Sequence, residues 1–292
     1  MRWDRNYRSP NLDDRRSASG GRRGLGGGLP LGGILMVASR FGWKGIVVGL
    51  LLVGFMTYGG LCSGGGAGLS SCLGGGAPTS QQQPRAPAEQ PGATSSSAQP
   101  DELANFVGYV LDDVQKAFRE QVPGYETTRL VLFRGQVGSA CGSASAAVGP
   151  FYCPVDKQVY IDLTFYDDLR RRFGAPGDFA QAYVIAHEVG HHLQNINGLL
   201  GRGEVHQIET ELQADCLAGA WAKDAQRRDL LEVGDIDEAL TAAAAIGDDT
   251  IQRKTQGRVQ PETWTHGSAA QRSAAFKKGL QGGVAACGLR TR

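Results

Sequence analysis

Apolar residues recur at helical spacing only in the later part of this chain. Leu103, Phe106, Val107, Val110, Leu111, Val114 and Phe118 mark one face of a helix over residues 103–118. Asp178 predicts a cap for a helix over residues 179–195, ended near Asn197 and Gly198. Residues 204–225 and 235–252 predict two further long helices, and Ser268 with Gln271 forms a capping box for a last helix running to Phe276. The stretches RLVLFR (129–134) and QVYIDL (158–163) are short and rich in β-formers, and they predict two strands. The pattern is that of one α+β domain over residues 101–292, long enough for a real core.

The first hundred residues differ in texture. Most of the excess among the 43 glycines lies before residue 80, and residues 62–100 are too poor in apolar side chains to fold, which predicts a flexible linker. Residues 45–61 carry no charge over 17 positions, the lower limit for a spanning helix, and their flanks offer nothing to pack against. No Ala-x-Ala cleavage site follows, and Leu61 stands where a lipoprotein would need a small residue before Cys62. An uncleaved, single-pass transmembrane anchor is therefore expected. Residues 1–44, with net charge +6, would form a disordered cytoplasmic arm, leaving residues 101–292 on the periplasmic or extracellular side. Six cysteines suit that side, with Cys141–Cys153, Cys216–Cys287 and Cys62–Cys72 as the natural pairs among the fifteen pairings possible. A whole-chain charge of +1 gives no reason to expect nucleic acid.

Candidate chemistry centres on His187-Glu188-Val189-Gly190-His191, within the helix predicted over 179–195. Two histidines four apart project from one helix face and can share one Zn²⁺, while Glu188 is placed to act as general base on a metal-bound water. The apolar run Ala182 to Ala186 would bury this helix. A catalytic zinc needs a third protein ligand and an open position. The metzincin pattern is excluded, because Gln194 and Asn197 occupy the positions where it requires Gly and His. A Glu on a following helix, as in thermolysin-like gluzincins, is the alternative. Glu211 fits it, with Asp215 four residues on to accept the free N–H of a ligand histidine, His187. Glu209 is a rival ligand without an Asp at plus four, and His192 points away from the metal face.

The chain resembles the bacterial neutral zinc metallopeptidases. The resemblance rests on the opening Met1-Arg2-Trp3 with Asp13 to Arg16, on Cys141-Gly142 leading to Gly149 through Pro154, and on Val159 through Leu163. It continues in Ala186 through His192, in Glu211-x-Gln213-Ala214-Asp215-Cys216, and in Gly234-Asp235-Ile236. Thr265 through Ser268 with Gln271-Arg272 completes it. It implies a zincin-like, minimal gluzincin fold on a bacterial cell membrane and a peptide or protein substrate. By analogy with gluzincins, the strand Tyr160 to Leu163 would be the edge along which an extended peptide binds. His266 would steady the oxyanion, with Tyr183 and Tyr166 as weaker candidates, or, equally, bond locally at the start of its helix. The competing expectation is a non-catalytic envelope assembly or chaperone-like protein with a closed, structural zinc site.

Overall fold

The computed structural model describes residues 1–17, 101–200 and 207–292. Strands β1 (Leu12–Asp14), β2 (Arg129–Phe133), β5 (Phe151–Cys153) and β6 (Gln158–Asp162) form a sheet in the order β1-β2-β6-β5, and β3 (Gln136–Ser139) pairs with β4 (Gly142–Ser145) in a hairpin. β1, β2 and β6 are parallel, whereas β5 runs antiparallel to β6. The helices are α1 (Glu102–Gln121), α2 (Thr164–Arg171), α3 (Asp178–Ile196), α4 (Gln207–Arg227), α5 (Asp235–Ala245), α6 (Asp248–Gln256) and α7 (Ala269–Ala286). The α+β expectation holds.

The near-continuous apolar run of β2 has a simple cause. Leu130, Leu132, Val159 and Ile161 face the main core with α1, α3 and α4, while Val131, Phe133 and Tyr160 face a second, smaller cluster. That second face is covered by Val137 of the hairpin and by Cys153. A strand buried on both sides loses its polar alternation. The sheet order also moves the expected edge: β6 lies between β2 and β5, so the strand from Tyr160 is interior and the edge belongs to β5. β5, three residues at the end of the Cys141–Cys153 loop, is that extra strand, and it is too short to register as a pattern.

The helix predicted over 235–252 is two helices, broken at Gly247. Beyond the break the carboxylate of Asp248 collects the backbone N–H groups of Thr265, His266 and Gly267, which turns the chain toward α7. Ser268 and Gln271 do form the capping box, and α7 continues well past residue 276. α4 and α7 pack almost backbone to backbone: a Cβ on Gly279 would lie 1.7 Å from the carbonyl oxygen of Cys216. Disulfides Cys141–Cys153 and Cys216–Cys287 are present as expected, the latter tying α4 to the end of α7. The proposed Cys62–Cys72 pair and the span 45–61 lie outside the described residues. Among the described residues no helix is long and apolar enough to cross a membrane.

Residues 1–17 correct the expectation of a disordered arm. Trp3 packs edge-on to Phe106 at 5.3 Å, Tyr7 and Asn11 both bond to Asp112, and β1 joins the sheet beside β2. Aromatic side chains that bury their rings on α1 outweigh the basic charge that suggested disorder. The topology changes with it. β1 and β2 are hydrogen-bonded neighbours, so residues 1–17 and 101–292 occupy the same compartment. The single crossing expected between them, with a cytoplasmic N-terminus and an external domain, would tear the sheet apart. Cysteines placed at exposed Arg8 and exposed Arg119 should therefore both react, or both fail to react, with a membrane-impermeant maleimide on intact cells. Labelling of only one would overturn this topology.

Candidate metal centre

α3 begins at Asp178, one residue earlier than expected, and Gly177 takes the cap position. Asp178 sits in the first turn, and the Phe179 N–H is met by the carboxylate of Glu238 from α5. The helix is buried along most of its length because it packs on α1, α4 and α5 and lies beneath the sheet. Gly190 matters here. A Cβ at that position would stand 3.1 Å from the Ala214 backbone, so its absence lets α4 approach closely enough to bring its carboxylates to the histidines.

The imidazole Nε2 atoms of His187 and His191 lie 3.2 and 3.4 Å from the two oxygens of Glu211. One ligand atom from each of these three residues falls within 4.8 Å of the others. The second nitrogen of each ring is already committed. His187 donates from Nδ1 to Asp215 at 2.8 Å, and His191 donates from Nδ1 to the Gln194 side-chain oxygen at 2.8 Å. Both Nε2 atoms are thus turned toward the Glu211 carboxylate, an arrangement satisfied by a shared proton or by a metal ion between them. Two ligands at zinc distance from a tetrahedral ion are about 3.4 Å apart, which is the spacing found. The donor set fits Zn²⁺. Among the described residues no fourth His, Cys, Asp or Glu joins it.

The supporting groups are buried and fully engaged. Asp215 accepts from His187, from the Tyr183 hydroxyl at 2.5 Å, and from Arg272 through Nε at 2.9 Å and Nη2 at 3.0 Å. Burial disfavours ionisation of Asp215, but Arg272 and His187 outweigh it and hold its pKa down at about 2. Burial opposes the charge on Glu211 as well, and the facing histidines overcome it, so this carboxylate titrates well below its ordinary range. Glu188 is 6% exposed; its burial raises its pKa against the opposing pull of His191 and His187. Gln194 is itself fixed by donating to the Thr210 carbonyl at 2.6 Å and to Gln213 at 3.0 Å.

The structure therefore brings together His187, His191 and Glu211, with Asp215 behind His187. Glu188 is buried one residue along from His187. Glu209 lies in the first turn of α4 and is not in the group. His192 is buried elsewhere, accepting from Tyr152 and donating to the Glu126 carbonyl. His266 makes none of these contacts. It is exposed before α7, with its ring against Asp248 and Thr265, which is the local bonding expected of a histidine at the start of a helix. Sequence reasoning missed Gln194, considered Tyr183 for the oxyanion where the structure places it on Asp215, and met Arg272 only as part of the family resemblance. Gln194 stands three residues after His191 on the same helix, a spacing that could have revealed it. Arg272 arrives from a distant helix and leaves no local signal.

The family model described as "Putative neutral zinc metallopeptidase" matches residues 1–289. The chain belongs to this family. The match spans the first strand, the α3 and α4 residues of the metal group and Arg272 alike. The family member is 40% identical to the uncharacterized protein YpfJ of Escherichia coli K12, an alignment covering 97% of this chain and 96% of that protein. It is 48% identical to the uncharacterized protein Rv2575 of Mycobacterium tuberculosis H37Rv, over 59% of this chain and 65% of that one. No solved structure matches it.

Proposed function

We propose that this family member is a zinc-dependent peptidase in which His187, His191 and Glu211 hold the ion and Glu188 is the general base. The observation that supports it most is the convergence of three ligand atoms within 4.8 Å, with Glu188 buried on the same helix. Two histidines on one helix and a glutamate on the next make a gluzincin arrangement, and a zincin-like fold goes with this reading. When bound, zinc lowers the pKa of its water and polarises the scissile carbonyl. Glu188 would take a proton from the attacking water and deliver it to the leaving amine, and the burial that raises its pKa suits a group that must carry a proton in transit. Asp215 and Gln194 keep both imidazoles in the tautomer that leaves Nε2 free. β5 is the sheet edge on the side of α3, so an extended peptide or protein segment would lie along Phe151–Cys153. The two disulfides favour an extracytoplasmic compartment.

The structural-zinc alternative requires a closed, four-ligand site with a further side chain such as His266, whose ring instead lies against Asp248. The test is cleavage of a peptide library by the full chain. Cleavage should stop on chelation and return with added zinc, and one zinc ion should bind per chain. Undiminished cleavage in chelator would sink the proposal.

A further inference from the structure

The α-amino group of Met1 sits in a carboxylate cluster that the proposed reaction does not use. Its ammonium donates to the two oxygens of Asp178 at 2.8 and 2.9 Å and to Asp235 at 3.5 Å, and Glu232 stands 3.3 Å away. An ammonium has three N–H donors, and three carboxylates meet this one. Glu238 completes the cluster: one oxygen each of Asp178, Asp235 and Glu238 lie within 4.8 Å of one another. Among the described residues no lysine or arginine pairs with those three, so Met1 is the cation that the cluster holds.

Separate parts of the chain are fixed to build this site. Asp178 opens α3 and Asp235 opens α5, while the N–H of Glu232, in the loop before α5, donates to Asp235 at 2.8 Å. Gly177 lets α5 close on α3, because a Cβ there would lie 1.8 Å from the Glu238 carboxylate. The backbone N–H of Arg2 bonds to the Leu230 carbonyl at 2.7 Å, and the Met1 side chain joins the main core, leaving the residue 5% exposed. Burial works against the charge on the ammonium, but Asp178, Asp235 and Glu232 outweigh it and hold its pKa above the ordinary α-amino value. Asp235 is 4% exposed, and a buried carboxylate left without its cation is costly. We propose that this cluster is a binding site for an α-ammonium group, filled by Met1 of the same chain, and that acylating Met1 or placing residues ahead of it loosens the joint between α3 and α5. The site is distinct from the metal centre: Asp178 stands ten residues before Glu188 on α3, about 15 Å along the helix. It does not depend on turnover, and its failure would leave the peptidase reading standing.

Thermal unfolding of the full chain tests the site, with the chain released from a cleavable amino-terminal fusion either at Met1 or with Gly-Ser left ahead of it. The extended chain should melt about 5 °C or more below the other. Asp178→Asn should lower the melting point of the chain that starts at Met1 but cost the extended chain far less, since the partner is already displaced there. Acylation by a small anhydride gives a reading that does not need the extended chain to fold. At neutral pH an open α-amine reacts ahead of lysines, because its pKa is lower. In the native chain Met1 should instead react more slowly than the exposed Lys277, and Asp178→Asn should speed it severalfold, as read by mass spectrometry. Equal melting of the two chains, an equal cost of Asp178→Asn in both, or acylation of native Met1 ahead of Lys277 overturns the proposal. Recovery of the extended chain by added Ca²⁺ would assign the cluster to a metal ion and overturn it as well.

Discussion

Replacing Glu188 by glutamine is expected to lower turnover about 10²–10⁴-fold while zinc stays bound, because general-base catalysis contributes on that order. Glutamine keeps the volume and one oxygen acceptor, so packing on α3 is preserved, but it cannot take a proton. Glu188 is no part of the three-residue group that converges on the metal position, so zinc content should be unchanged. His187→Ala is the informative contrast: it removes a ligand and should lose zinc and turnover together. Kinetics on the peptide found in the library screen, with metal content measured on the same samples, decides the matter. If Glu188→Gln cleaved within about twofold of wild type, the base would have to be sought elsewhere.

Much of this centre was legible in the sequence because its geometry is local. His187 and His191 share a helix face by spacing alone, and Glu211 with Asp215 repeats that spacing on the next helix. What was not legible depends on which helices touch. Arg272 reaches Asp215 only because α7 lies on α4 with glycine at the crossing, and nothing in its own neighbourhood encodes that. The strands show the same division. β2 and β6 carry enough β-branched and aromatic residues to be seen, whereas β1 and β5 are three residues long and exist through their partners. The first seventeen residues depart furthest from what their composition implies. Their arginines suggested a solvated arm, but those in β1's vicinity are neutralised by neighbours: Arg15 by Asp13, and Arg16 by Asp14 and Asp101. Composition averages over such pairs, and Trp3 and Tyr7 supply the burial that composition did not weigh.

Arg272→Ala should destabilise the protein by about 3–5 kcal/mol, the cost of leaving a buried charge without its partner. Arg272 is 3% exposed and Asp215 is fully buried, so water cannot replace the lost guanidinium. Arg272→Lys should recover little, because an ammonium cannot make the paired Nε and Nη2 bonds to both carboxylate oxygens. Since Asp215 is held down at about 2, the stability it contributes is complete above the ordinary carboxylate range and is lost only as pH falls through about 2. A combined Asp215→Leu, Arg272→Leu and Tyr183→Phe variant removes both charges and the phenol that would otherwise be orphaned. It should recover much of the lost stability, because apolar side chains of similar volume often replace a buried ion pair without loss. Its zinc affinity should still be about 10–100-fold below wild type, since His187 no longer has an acceptor for its Nδ1–H. Denaturant unfolding and zinc competition on the same variants separate the two effects. If Arg272→Ala unfolded within about 1 kcal/mol of wild type, Asp215 would not need its cation, and the orienting role given to this network would fail with it.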